Sequence, residues 1–504
     1  MELLTDRYQD KISGVLSCFD RIVLTGTIPG ICFSKGMTSY LYSKNIKIFD
    51  YKEFAQKLRE ELRTNTEEIA EENNIEIEYI NKKGIRKEDI IQKKIKKRGD
   101  HPGLIAIIST METCTEYKPW HDKKTHRTFL KGGTGKCLHY YFYFIHEVLG
   151  LMYVRLPTWC PFRAQVYFNG HNYLATKLRE ENIDYHMIDN AFSRISNFER
   201  AQEIADNLSP EELHEILDEI ASRYCPFLKT FNSKYHWSIM QVEYATDIVF
   251  KIKEDLQNIY DELVATAIHT VKPDNISTFL GKKLDPRYQD ELGNNYHVRI
   301  EGSCIKHKMG KNSIKMYDKH KKVLRIETTS NDISFFKNYR KVEHKDGTVS
   351  HKNAPMKKNI YSLSPLKNIL LASNRRYLEF ISAIDDKSIG KKKLEKVSNR
   401  TIKKEIGFKG INFFSKDDQE ILEVVARGEF NLSGFQRKNL CQLLLSKSKY
   451  QVSRILQRLR AFGLIKKIGR TYKYYLTKLG KEVIATATKL REIIVIPKLN
   501  TRAA

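Results

Sequence analysis

The chain has eight cysteines in 504 residues and no two of them form a C-x-x-C pair. Cys18, Cys32, Cys114, Cys137, Cys160, Cys225, Cys304 and Cys441 are scattered, which argues against a zinc cluster or a disulfide framework and for reduced, mostly buried thiols. Long apolar runs are missing too. The best candidate, Tyr140 to Leu156, is broken by His146, Glu147 and Arg155, so no membrane span is expected. The segment Met1-Glu2-Leu3-Leu4-Thr5-Asp6-Arg7 lacks the basic-then-apolar layout of a signal peptide. No low-complexity tract and no internal repeat is visible. A soluble, cytoplasmic, folded chain of two or three domains is the expectation, associated with nucleic acid for the reason that follows.

Acidic residues are scarce where it matters. The whole chain carries 87 Lys and Arg against 61 Asp and Glu, a formal +26. From Asn431 to Ala504 there are 17 basic residues, with only Glu482 and Glu492 against them. A surplus concentrated in this way favours a polyanionic partner.

The front of the chain alternates strand and helix signals and reads as an α/β domain over residues 1–103. Arg21–Thr25 and Ile75–Ile80 have strand character, and residues from Tyr51 to Asn73 repeat Phe54, Leu58, Leu62 and Ile69 at helical spacing. Lys82 to Arg98 is a basic helix-like stretch. Residues 104–385 read as a central α+β domain. It opens with a buried strand over Leu104–Thr110, then a polar, turn-rich stretch from Lys118 to Lys136, then an aromatic hairpin of Leu138–Ile145 and Leu151–Leu156. Residues 173–270 read mostly as helices, with Ser209-Pro210-Glu211-Glu212 a clear helix start. Residues 386–412, rich in lysine and poor in core residues, read as a linker. The overall fold class expected is α+β.

Residues 413–504 are the most legible. Three amphipathic helices are expected, Asp417–Arg427, Phe435–Leu445 and Lys449–Phe462. The third buries Val452, Ile455, Leu456, Leu459 and Phe462, and turns Lys449, Gln451, Ser453, Arg454, Gln457, Arg458 and Arg460 outward. Two short strands follow, turning at Gly469-Arg470, and then another helix. This order, with the string QVSRILQRLRAFGLIKKIGRTYKYYLTKLGKEVI, resembles the winged-helix family and the MarR-type regulators within it. Together with DRIVLTGTIPG, KCLHYYFYFIHE and RYCPFLKTF, it is similar to a family of bacterial proteins labelled MarR-like on the strength of this tail. The resemblance implies that Gln451, Ser453, Arg454, Gln457 and Arg458 face the major groove. Lys466, Lys467, Arg470 and Lys473 would then meet phosphate or the minor groove, and Lys449 belongs to the same nucleic-acid-binding set.

A second constellation is Ser313–Thr328. With Lys319 opposite Val323, Ile314, Met316, Leu324 and Ile326 share one side of a hairpin. Lys315, Tyr317, Lys319, Arg325 and Glu327 share the other, and Asp318 falls on the apolar side. The string SIKMYDK…VLRIE is similar to the hairpin of rolling-circle replication initiators. That resemblance implies Mg2+ or Mn2+ held by Glu327 with Glu301 or Asp318, Lys319 and Arg325 on phosphate, and Tyr317 in the catalytic set beside Lys319 and Glu327. The initiators' His-apolar-His pair is missing, and this register separates Asp318 from Glu327. An ordinary hairpin with a wet charged face accounts for the same residues. Tyr167 and Tyr173 are further tyrosines to test as nucleophiles.

Gly132-Gly133-Thr134-Gly135-Lys136-Cys137 lacks the leading glycine of a phosphate loop and reads as a flexible turn. Glu112, His139, His146 and His171 could form a site, though spacing does not require it. The expected partner is nucleic acid, duplex DNA first and RNA as an alternative, with a second copy of the chain to form a homodimer. The function expected is that of a mobile-element or plasmid-type DNA-binding protein whose front part nicks or transfers strands. A MarR-like transcriptional regulator with a large sensor domain and an RNA-binding protein are the rivals.

Overall fold

In the computed structural model the described residues are 3–82, 84–284, 287–299, 302–385, 395–403, 405–427, 430, 434–469 and 471–489. The chain divides into a larger unit, Leu3–Val264 with Lys272–Glu379, and a smaller one containing Ala265–Val271 and the described residues from Phe380 onward. Helices and strands are mixed in the α+β manner expected.

The strands of the larger unit are β1 (Ile12–Thr27), β2 (Ile77–Tyr79), β3 (Gly103–Asp122), β4 (Arg127–His146), β5 (Gly150–Pro157), β6 (Ala164–Phe168), β7 (Tyr185–Ile188), β8 (Ala191–Ile195), β9 (His236–Phe250), β10 (Leu292–Arg299), β11 (Gly302–Met309), β12 (Asn312–Lys319), β13 (Val323–Ser330), β14 (Lys337–Glu343) and β15 (Val349–Pro355). All but the β7–β8 and β14–β15 hairpins join one 11-stranded sheet in the order β10-β11-β12-β13-β9-β1-β6-β5-β4-β3-β2. Only β2 and β3 run parallel. That pairing, Ile77 opposite Ile107, crosses the domain boundary expected at residue 103.

Alternation sorts the two faces. Ile22, Leu24, Phe142, Val154, Val166 and Phe168 point into the main core, which also takes Leu58 and Leu62 from the helix Tyr51–Glu72 and Leu213 and Leu217 from the helix Pro210–Tyr224. The other face carries the polar and charged residues of β1, β9, β12 and β13. The stretch 173–270, expected to be mostly helical, contains β7, β8 and the long central strand β9. Its alternation of Val242, Tyr244, Thr246 and Ile248 with Gln241, Glu243, Ala245 and Asp247 fits a strand between two others better than a helix.

In the smaller unit the helices are Lys416–Val425, Arg437–Leu443 and Lys449–Ala461. A hairpin of Ile465–Lys467 with Tyr474–Leu476 follows, then the helix Lys478–Lys489. Val452, Leu456 and Leu459 of the third helix pack with Ile421, Leu422, Val425 and Leu440. Ser448 caps that helix and Gln451 answers as the partner of a capping box, Ser448 N–H donating to Gln451 Oε1 at 2.7 Å. Val397, Phe408 and Ile411, inside the stretch expected to be a linker, are buried in this same core, whereas 386–394 lie outside the described residues. Among the described residues no helix is long and apolar enough to cross a membrane.

Candidate functional site

The hairpin register read from the sequence holds: Lys319 lies opposite Val323, Tyr317 opposite Arg325 and Lys315 opposite Glu327. Lys315, Tyr317, Lys319, Arg325 and Glu327 therefore share the polar face. The neighbouring strands complete the site. β13 pairs with β9 so that Arg325 faces Asp247 and Glu327 faces Ala245. β9 pairs with β1, where the register slips between Phe19 and Arg21. That bulge inserts Asp20 beside Arg21, turning two consecutive side chains toward one face, which regular pleating forbids.

Arg325 is fully buried at the centre. Its Nε and Nη2 donate to the two oxygens of Asp247, both at 2.6 Å, and Nη2 also donates to the carbonyl of Asn190 at 2.7 Å. Its Nη1 stands 3.3 Å from Asp20 Oδ1. Asp20 takes a hydrogen bond from Asn190 Nδ2 at 2.6 Å and another from Asn169 Nδ2 at 3.2 Å. Burial alone would raise the Asp247 carboxyl, but the Arg325 guanidinium and the His171 ring together outweigh it and hold that group at about 2.

His171 closes the network from the first turn of the helix Gly170–Glu180, which Asn169 caps. Its Nδ1 is 3.1 Å from Asp20 Oδ1, and its Nε2 is 3.0 Å from Arg325 Nη2 and 3.4 Å from Asp247 Oδ2. The helix can come this close because residue 170 is glycine. A Cβ there would lie 2.2 Å from the carbonyl oxygen of Phe19.

Glu243 and Glu327 form the second half of the site. Lys315 Nζ reaches Glu327 Oε1 at 2.6 Å and Glu243 Oε1 at 3.2 Å, and Tyr317 Oη donates to Glu327 Oε2 at 2.5 Å. Burial and the adjacent charge of Glu327 raise the Glu243 carboxyl above its usual range, with Lys315 and Arg21 opposing. Burial also lowers the Lys319 ammonium, helped by the charge of Arg325, while its Nζ donates to Asn190 Oδ1. One oxygen each of Asp20, Glu243 and Glu327 lie within 4.8 Å of one another, so these three carboxylates can hold a metal ion. All three donors are hard oxygens, the set suited to Mg2+ or Mn2+.

Of the metal ligands expected from sequence, only Glu327 belongs to this set. Asp318 is on the opposite face, and Glu301 lies outside the described residues. Asp20, Glu243, Asp247 and His171 were not legible as one site, because three segments far apart in the chain deliver them. Tyr173 is buried in the main core. Tyr167 is half-buried, stacked on Tyr153 at 5.1 Å with the Arg21 guanidinium 5.4 Å from its ring.

Glu112, His139, His146 and His171 do not form a common site. Glu112 is bound by Lys87 at 2.9 Å, Arg155 at 2.7 Å and Tyr141 at 2.8 Å, and His171 belongs to the Arg325 network. His139 is buried with Nδ1 3.1 Å from the Cys137 carbonyl, and burial with the nearby Arg155 charge lowers its pKa to about 4. His307 is likewise buried between Asn294 Oδ1 at 2.7 Å and Tyr377 Oη at 2.9 Å, and burial lowers it to about 3. Both rings are held neutral in the fold, whereas the unfolded chain protonates them near 6.5. Their contribution is full above that value and drains away as pH falls toward 4 and 3. Urea denaturation from pH 7 down to 4 is expected to show stability falling by on the order of 3 kcal/mol for each of the two histidines, with His307→Gln flattening the curve. A flat wild-type profile over that interval would remove this account.

In the smaller unit Lys449, Gln451, Arg454, Gln457, Lys466 and Lys473 are exposed. Ser453 is half-buried and takes a hydrogen bond from Arg437 Nη1 at 3.3 Å, and Lys467 lies 5.3 Å from the ring of Tyr472. Arg470 lies outside the described residues. Arg458, expected to read bases, is committed elsewhere: it donates to Asp418 at 2.6 and 2.9 Å and to the carbonyls of Lys409 and Gly410 at 2.8 and 2.6 Å. Its position on the outward side of the helix was correctly placed, but the segment 409–418 covers it. Arg454→Ala is therefore expected to leave the melting temperature unchanged. Arg458→Ala should lower it, by roughly 3 kcal/mol of stability, because Asp418 is left buried without its partner. Equal melting temperatures by differential scanning fluorimetry would contradict this division.

Compared with family models, curated proteins and solved structures, the chain gives no match.

Proposed function

We propose that this chain binds nucleic acid through its smaller unit, folded as a winged helix on duplex DNA, and acts on a phosphodiester at the polar face of the larger unit's sheet. The observation that carries the reading is the outward side of the helix Lys449–Ala461. Lys449, Gln451, Arg454, Gln457 and Arg460 are all exposed there, above a buried face of Val452, Leu456 and Leu459. Arg and Gln are the side chains that pair bidentately with guanine and adenine edges, and the hairpin bearing Lys466 and Lys467 supplies phosphate contacts.

The chemical half of the reading rests on Asp20, Glu243 and Glu327. A divalent cation bound by them would neutralise charge on a scissile phosphate. Of the tyrosines singled out, Tyr317 and Tyr173 are buried, whereas Tyr167 is half-buried with the Arg21 guanidinium 5.4 Å from its ring, so Tyr167 is the candidate nucleophile. Burial raises its phenol, Arg21 counteracts that, and the charges of Asp20 and Glu243 raise it further. Its oxygen would form the new bond to phosphorus while a strand hydroxyl departs with the phenol's proton.

Anisotropy titration of the full chain with labelled duplexes tests the first half. Lys449→Ala with Arg454→Ala is expected to weaken duplex binding about 10- to 100-fold. Undiminished affinity for every oligonucleotide would end the reading. Incubation with single- and double-stranded DNA and manganese tests the second half, the expected product being a covalent adduct absent from Tyr167→Phe.

A further inference from the structure

The segment Lys118–Lys136, expected to be a polar turn, is the outer part of a two-stranded ribbon. β3 and β4 stay paired in register from Met111 opposite Leu138 out to Asp122 opposite Arg127. β5 pairs with β4 only from His139 inward. From Glu112 to Asp122 the two strands therefore run without β5, over about 35 Å at ~3.3 Å per residue. The glycines that imitate a phosphate loop lie within β4. Gly135 makes room for Glu116, whose Oε2 would lie 2.2 Å from a Cβ there.

The ribbon is held on one face almost to its turn, and its exposed residues are charged. Tyr117 is buried and its Oη donates to the Ile31 carbonyl at 3.0 Å. The helix Ser34–Ser43 holds β4 by two bonds: Leu130 N–H donates to Thr38 Oγ1 at 3.0 Å, and Tyr42 Oη donates to the Thr128 carbonyl at 2.7 Å. Apart from these contacts, Lys118, Lys123, Lys124, Arg127, Lys131 and Lys136 are all exposed. The three acids of the ribbon are committed locally, Glu112 to Lys87 and Arg155. Glu116 pairs with Lys118, and Asp122 accepts from Lys124 N–H at 2.9 Å and Thr125 Oγ1 at 2.7 Å to shape the turn. Among the described residues no carboxylate pairs with Lys123, Lys124, Arg127, Lys131 or Lys136. Trp120 is 49% exposed, with Lys131 Nζ 4.5 Å from its ring.

We infer that this ribbon is a second nucleic-acid contact, lying in the major groove of a duplex with Lys124, Arg127 and Lys131 on phosphates and Trp120 against the groove wall. The inference rests on the reading that the chain binds nucleic acid. A major groove about 12 Å wide admits a two-stranded ribbon. The ribbon's unmatched cations supply the charge that duplex phosphates attract, and the helix behind it holds it in place, which lowers the entropy lost on docking.

The test uses the full chain. Lys124→Ala/Arg127→Ala/Lys131→Ala is expected to weaken duplex binding about 10- to 100-fold. The slope of log affinity against log salt should become shallower by about 2–3, since each phosphate contact contributes ~0.9. These side chains are exposed, so the melting temperature should not move. Duplex should also quench the fluorescence of wild-type protein at Trp120, and Trp120→Phe should lose that change. The inference is overturned if the triple variant keeps wild-type affinity and slope while Lys449→Ala/Arg454→Ala is weakened. Wild-type protein that binds no duplex at all would overturn the parent reading along with it.

Discussion

Arg325→Met is expected to destabilise the larger unit by about 3–5 kcal/mol, enough to lower its urea midpoint strongly or prevent its folding. The substitution preserves much of the side-chain volume, so packing is not the cause. Arg325 donates to both oxygens of Asp247 and stands 3.3 Å from Asp20, in a place no solvent reaches. Without it two carboxylates are left buried with His171 and Lys319 as their nearest cationic groups. Asp247 is held at about 2, so its contribution is full above its unfolded value near 3.8 and is lost only as pH falls toward 2. The loss caused by Arg325→Met should therefore be largest near neutrality and shrink in acid, as the carboxylates become able to take protons. Arg325→Lys should not rescue, because an ammonium cannot reproduce the paired donors and the bond to the Asn190 carbonyl. A variant as stable as wild type at pH 7 would show that the network does not hold the sheet's centre.

Glu243→Gln should separate stability from cation binding. Burial and the charge of Glu327 raise this carboxyl, so its ionised form costs stability above its unfolded value, and the cost grows as pH rises through the folded one. Glutamine removes that repulsion while leaving Glu327 to Lys315 and Tyr317. The metal-free variant should melt no lower than wild type. Manganese should raise the melting temperature of wild type and leave the variant unmoved, with affinity reduced by at least the roughly 100-fold that partners around metal ligands reach. If manganese stabilises both proteins equally, Asp20, Glu243 and Glu327 are a structural charge cluster and the phosphodiester chemistry must be sought elsewhere.

Much of the local structure was legible because it depends on spacing. The Ser313–Thr328 hairpin was read with its register and both faces, since apolar residues at every second position permit only one pairing that buries them. The third helix of the smaller unit was legible to within a residue from its apolar stripe. The ribbon was missed because lysine, glycine and threonine in alternation carry no apolar period. Its pairing is set by the turn at Asp122–Arg127 and by the helix Ser34–Ser43 behind it.

From its own pattern alone the chain determined where its cationic charge collects, which helices and hairpin the described residues from Lys416 to Lys489 form, and that Tyr317, Lys319, Arg325 and Glu327 share one face. Only the tertiary structure decided which residues meet them there. Asp20, His171, Glu243 and Asp247 lie far from that hairpin in the chain. They converge because β9 pairs with β13 on one edge and β1 on the other, and because a one-residue bulge at Asp20 turns an extra carboxylate to the polar side. Pairing between distant strands is settled by burial across the whole sheet, and a local pattern carries no record of it.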